Sequence, residues 1–154
     1  MVAALNRLVD ASRRQPKARA LIPDALTLIE PIHRRDPKAF QPTFLYAELL
    51  FLSARYSQAL AVLANIGPQA ATNADFFNLA GMCFAGMNDL PKASRAVLRA
   101  IDLAPDRVDL LVNLAGLYQK ARNKEAALMA LEKAVRIFNT VRTSNRAARV
   151  YSTL

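Results

Sequence analysis

The chain has 154 residues, 53% of them apolar and 21% charged, with a net charge of +9 and only 4 glycines. That balance suits one globular domain and argues against disorder. No apolar run approaches the roughly 20 residues of a membrane span, and a single cysteine and a single histidine leave neither an internal disulfide nor a metal site. The first segment, MVAALNRLVDASRRQ, reads as an amphipathic helix over about residues 2–14, with Asp10, Arg13 and Arg14 on its polar face. It has no basic stretch ahead of an apolar one, so it is not read as a signal peptide, and the protein is expected in the cytoplasm. The link QPKARALIP leads to a helix over 23–35 that contains Pro31, where a kink is expected. His33, beside Arg34 and Arg35, reads as a cation at that helix's C-terminus. TFLYAELL (43–50), FFNLAGMCF (76–84) and LLVNLAGLY (110–118) read as helices, each followed by a short polar turn: SARYSQ, GMNDLP and ARNKEA. Cys83, between Met82 and Phe84, is expected to be a buried small hydrophobe. Residues 140–154 read as a last amphipathic helix, with Val141, Val150, Tyr151 and Leu154 inward.

A shift of 34 residues superimposes the second helices on one another: DALTLIEPIHRRDP (24–37), QALAVLANIGPQAA (58–71), KASRAVLRAIDLAP (92–105) and AALMALEKAVRIFN (126–139). Their second residue is always alanine, at Ala25, Ala59, Ala93 and Ala127. Four residues on come Ile29, Leu63, Val97 and Leu131, then Ile32, Ile66, Ala100 and Ala134. Pro37 and Pro105 close two units at one phase, where Ala71 and Asn139 stand in the others. The first helices keep the same register: Phe77 matches Leu111, Ala80 matches Leu114, Gly81 matches Ala115 and Phe84 matches Tyr118. Small residues at Gly81, Ala93 and Ala100 mark a seam where helices approach toward the low end of the usual ~8–10 Å separation.

This pattern resembles the tetratricopeptide repeat (TPR): a 34-residue helix–turn–helix unit, large then small residues on helix A, an early Ala in helix B and a Pro near the repeat end. The resemblance covers 40–73, 74–107 and 108–141 as three full repeats, with 1–39 as a degenerate first pair and 140–154 as a capping helix. It implies an all-α fold, a right-handed superhelix of stacked antiparallel helix pairs. It also implies a concave face, lined by the A helices, that receives a peptide or a partner helix.

Non-core positions of the A helices would line that face: Phe44, Leu45, Glu48, Phe51 and Leu52; Asp75, Asn78 and Met82; Asp109, Val112, Asn113 and Gln119. Arg142 and Arg146 from the last helix would close it. Phe44, Phe51 and Met82 would supply an apolar floor, and Asn78 and Asn113 can donate to and accept from a peptide backbone. Of the two-carboxylate clamp that some members of the family use, only the place of Asn113 is matched. Level with an open groove stand two coverings of Phe44 and Phe51, by the first helix or by a second copy of the chain.

No nucleotide-binding loop, nucleophile elbow, zinc-protease motif or opposed acid pair occurs, so no catalysis and no cofactor are expected. The expected function is a protein-interaction scaffold, with a protein or peptide partner and self-association through the groove or the terminal helices also in view. A bacterial secretion-type chaperone is the alternative. Nucleic acid or an anionic membrane ranks third: the basic residues of 7–19 and 136–149 lack interleaved aromatics and read as solvated helix faces.

Overall fold

A computed structural model describes the backbone of residues 1–14 and 16–151, and the side chains of 1–11 and 18–142. Every regular element among them is helical: α1 (Val2–Arg14), α2 (Pro16–Arg19), α3 (Ile22–Arg35), α4 (Phe40–Leu52), α5 (Tyr56–Ala64), α6 (Ala74–Gly86), α7 (Leu90–Leu103), α8 (Val108–Lys120) and α9 (Lys124–Tyr151). The helices α4/α5, α6/α7 and α8/α9 pair as neighbours, α3 packs on α4, and each second helix packs on the next first helix. The result is a solenoid of stacked antiparallel helix pairs.

The 34-residue period is written in the backbone as well as in the side chains. Ala54, Asn88 and Arg122, spaced by that period, each take the left-handed conformation, with φ of 57°, 62° and 60°. Each ends its first helix in the same way. The amides of Arg55, Asp89 and Asn123 donate to the carbonyls of Leu50, Phe84 and Tyr118, all at 2.9 Å. This six-to-one bond satisfies a carbonyl that the helix end would otherwise orphan. Asp89 and Asn123 then cap α7 and α9 by accepting from the amides of Lys92 and Ala126.

Helix ends follow from proline. α3 stops at Arg35 and α7 at Leu103, and the residues before Pro37 and Pro105, Asp36 and Ala104, are extended with ψ of 86° and 74°. A following proline ring disfavours the helical conformation there. The second helix of the repeat 40–73, α5, ends early, at Ala64, ahead of the Gly67–Pro68 pair, and residues up to Thr72 run as turns. Pro31 does not break α3, which keeps helical backbone on both sides of it. The link after α1 holds one short helical turn, α2, that periodicity did not announce.

The end of the chain departs from expectation. In place of a separate capping helix over 140–154, α9 runs without a break from Lys124 to Tyr151. Asn139 stands where Pro37 and Pro105 stop their helices, and no glycine or proline follows before Tyr151, so nothing interrupts the hydrogen-bond ladder. Val141, expected inward, is exposed; Val150, Tyr151 and Leu154 lie outside the described side chains.

Two continuous buried clusters hold the stack. One joins α1, α3, α4 and α5 through Leu5, Val9, Ile29, Leu49, Leu50 and Leu63. The other joins α7, α8 and α9 through Val97, Ile101, Leu110, Leu111, Leu114 and Ala134. At the small-residue seam α6 and α7 approach closely. A methyl group at Gly81 would lie 2.7 Å from Val97 Cγ2 and 3.0 Å from the carbonyl oxygen of Ala93.

His33 is buried, not a surface cation. Its Nδ1 lies 3.0 Å from Thr43 Oγ1, and that hydroxyl donates to the carbonyl of Pro37 at 3.0 Å. Since the single hydroxyl proton is so used, Nδ1–H is the donor to Thr43. Burial pushes the imidazole below its usual range, against the opposing pull of Glu30. Cys83 is buried, and burial pushes its thiol up to about 12, which leaves it unreactive.

Candidate functional site

The A helices α4, α6 and α8 present their non-core faces side by side, because positions 34 residues apart occupy equivalent places in successive repeats. Between them lies a depression of about 420 Å³ lined by Phe44, Glu48, Phe51, Asn78, Met82 and Asn113, together with Asp75, Leu79, Arg107 and Asp109. A second depression of about 330 Å³ shares Phe44, Glu48 and Asp75 and adds Asn6, Val9 and Asp10 of α1 and Phe40 of α4. The two form one trough. The first helix therefore borders the trough beside Phe44 and Glu48.

The floor is apolar but partly committed to the core. Phe44 stacks on Phe40, with ring centres 5.7 Å apart and planes 6° off parallel. Phe51 packs against the Tyr56 ring of α5 at 5.7 Å. Both half-buried rings adjoin the N-terminal core cluster. Met82, unbranched and adaptable, supplies the remaining apolar surface.

The polar wall is built by two pairings across the repeat junction. Asn113 Nδ2 donates to Asn78 Oδ1 at 3.0 Å, joining α8 to α6. Arg107, which precedes α8, donates from Nε and Nη2 to both carboxylate oxygens of Asp109 at 3.1 and 2.6 Å, and from Nη1 to Asp75 at 2.5 Å. The Arg107 hydrogen bonds hold the Asp109 carboxyl below the usual carboxylate range, and the Asp109 bonds raise the guanidinium in turn. Among the described lining residues stand three carboxylates, Glu48, Asp75 and Asp109, against one guanidinium. Asp75 and Asp109 together outnumber the one guanidinium they hold, so this part of the wall is net negative on a chain whose total charge is +9.

Eight of the fourteen residues expected to line or close the groove converge here: Phe44, Glu48, Phe51, Asp75, Asn78, Met82, Asp109 and Asn113. Leu45, also expected there, is buried, because it points from α4 into the first core cluster. Leu52 packs against that cluster as well. Gln119 and Val112 lie on a separate furrow between α8 and α9. Arg142 is exposed on α9, and the straight course of that helix explains why it does not fold back to close the trough; the Arg146 side chain lies outside the described residues. Sequence reasoning missed Arg107. Its signal was positional: it stands one repeat after Asn73, the residue that caps α6 by accepting from the Phe76 amide, and thus at the mouth of the groove.

Among the described residues no group of three or more histidine, cysteine or acidic side chains could hold a metal, and no helix is long and apolar enough to cross a membrane. No family model matches the sequence, and no curated protein matches it either. Solved structures do match. MamA from Desulfovibrio magneticus is 21% identical, over 90% of this chain and 85% of its own, with a TM-score of 0.74. A further MamA structure is 14% identical, over 92% of this chain and 89% of its own, with a TM-score of 0.73. A thermophilic TPR protein from Thermus thermophilus is 19% identical, over 97% of this chain and 89% of its own, with a TM-score of 0.71. Likeness at such identities is likeness of fold: this chain is an all-α solenoid of the TPR type.

Proposed function

We propose that the protein is a non-catalytic interaction scaffold that takes an extended segment of a partner protein into the trough between α4, α6 and α8. The observation that carries this reading is the composition of the trough. An apolar floor of Phe44, Phe51 and Met82 lies beside paired amides, Asn78 and Asn113, that can bond a peptide backbone whatever its side chains. The charge of the wall selects further. Arg107 is already held by two carboxylates, so an acidic tail would find no uncommitted cation among the described lining residues and would meet like charge. Neutral or basic segments are the ones accommodated. This is the reverse of the two-carboxylate clamp.

Selection of a random peptide library on the immobilised protein tests the reading. Enriched sequences should be apolar with Lys or Arg and poor in Asp and Glu. Their affinity should fall about tenfold or more in an Asn78→Ala/Asn113→Ala double variant. An absence of enrichment, or enriched peptides indifferent to that variant, would count against the trough as the binding site.

A further inference from the structure

The furrow between α8 and α9 lies apart from the trough, and the repeat register says what belongs on it. Leu131 corresponds to Val97 one repeat earlier and to Leu63 two repeats earlier. Those two are 0% and 2% exposed, in repeats that a further helix pair follows, whereas Leu131 is 42% exposed. Val135 is 57% exposed where its counterpart Ile101 is 7%. Ala127 is half-buried where Ala93 and Ala59 are fully buried. Leu128, also exposed, extends the same stripe, and Gly116 offers open space beside it, since a methyl group there would meet nothing within 4 Å. Gly116, Ala127, Leu128 and Leu131 line a furrow of about 740 Å³, and Val135 lines its extension along α9 with Leu128 and Leu131. No part of Lys124–Tyr151 turns back over it, because α9 is continuous. The face therefore continues an interface that the chain itself forms twice, α5 against α6 and α7 against α8.

Charge decides between a second copy and a different partner. The furrow and its extension along α9 are flanked by Arg122, Lys124 and Arg136, with Glu132 as the acid among the lining residues. A two-fold interface would bring this positive rim onto itself, on chains that each carry +9. We infer that the furrow receives an amphipathic helix of a partner protein, seated on α8 and α9 as α8 is seated on α6 and α7. The helix presents leucine-like residues inward and acidic residues at its flanks.

The probe is a stapled peptide copying residues 107–120, with Glu at the outward positions 112, 116, 119 and 120, titrated into the full chain and followed by fluorescence anisotropy. Saturable binding is expected. Leu131→Asp or Val135→Asp should weaken it about tenfold or more, and Met82→Asp in the trough should leave it unchanged. The same peptide with Lys in place of Glu should bind about tenfold more weakly at low salt. Leu131 and Val135 are exposed, so the variants keep the fold, which circular dichroism verifies. Three results would each overturn the inference: no saturable binding, binding that survives the Leu131→Asp/Val135→Asp double variant, or equal affinity for the Lys peptide. So would a wild-type dimer that Leu131→Asp converts to monomer in sedimentation, since the occupant would then be a second copy.

Discussion

Replacing Gly81 by alanine probes the seam on which the stacking depends. Away from contacts, Gly→Ala inside a helix stabilises by about 1 kcal/mol, since alanine has less backbone freedom to lose. At Gly81 the new methyl would lie 2.7 Å from Val97 Cγ2, 3.0 Å from the Ala93 carbonyl oxygen and 3.3 Å from the Val97 amide nitrogen. Carbon contacts are comfortable at roughly 3.5–4.0 Å, and Val97 is fully buried and cannot swing aside. Overpacking of this kind costs about 1–3 kcal/mol, so the sum is a net loss of about 0–2 kcal/mol, or a few degrees in Tm. The cause can be isolated. Val97→Ala alone should cost about 2 kcal/mol through lost burial. In that background the nearest clashing atom is gone, and Gly81→Ala should become neutral or stabilising, a coupling of about 1 kcal/mol. Urea unfolding of the four proteins, followed by circular dichroism, gives the cycle. If Gly81→Ala stabilised the wild-type chain by the full helical increment, with no coupling to Val97, the close approach of α6 and α7 would be wrong.

Further outcomes follow from the turns, the floor and the buried histidine. Ala54→Gly and Arg122→Gly should each stabilise by about 1 kcal/mol in urea unfolding, because both residues hold left-handed backbone that glycine adopts freely; Asn88→Gly should change little, as asparagine tolerates that region. Phe51→Ser should keep the helicity but cost about 2 kcal/mol, seen as a lower Tm, since the ring packs on Tyr56 and the core. The buried His33 has a folded pKa below its ordinary 6.5, so just below that pH the unfolded chain binds more protons. Stability should therefore be greatest above pH 6.5 and fall as the pH drops below it, and His33→Gln should flatten that slope in a pH series of urea unfolding curves. Thr43→Val, which leaves the buried imidazole N–H without its acceptor, should cost about 1–3 kcal/mol in the same assay.

What could be read in the sequence was whatever repeats. Ala59, Ala93 and Ala127 recur at one spacing, which marks the helix pairs and the seam at Gly81, and the resemblance to the tetratricopeptide repeat added eight of the trough residues. What escaped was carried by backbone or by distance. Ala54, Asn88 and Arg122 share a conformation but no chemistry, so the period of the turns is invisible in their identities. Arg107 acquires its role from Asp75, 32 residues away. Thr43 acquires its role from His33, ten residues earlier, whose ring nitrogen lies against its hydroxyl. Leu45 was misplaced because α4 is apolar on nearly every side, which removes the periodic signal that separates core from groove. The unbroken α9 follows from Asn139, which stands in place of proline and lets the hydrogen-bond ladder run on.

The central claim is that the trough between the A helices is where a partner segment lies. Chemical-shift mapping with a library-selected peptide tests it most directly. The side-chain amides of Asn78 and Asn113 and the methyl group of Met82 should shift in a saturable, concentration-dependent way, while resonances of Leu128, Leu131 and Val135 stay in place. Shifts confined to the α8–α9 furrow, or scattered over the basic surface and abolished by salt, would contradict it.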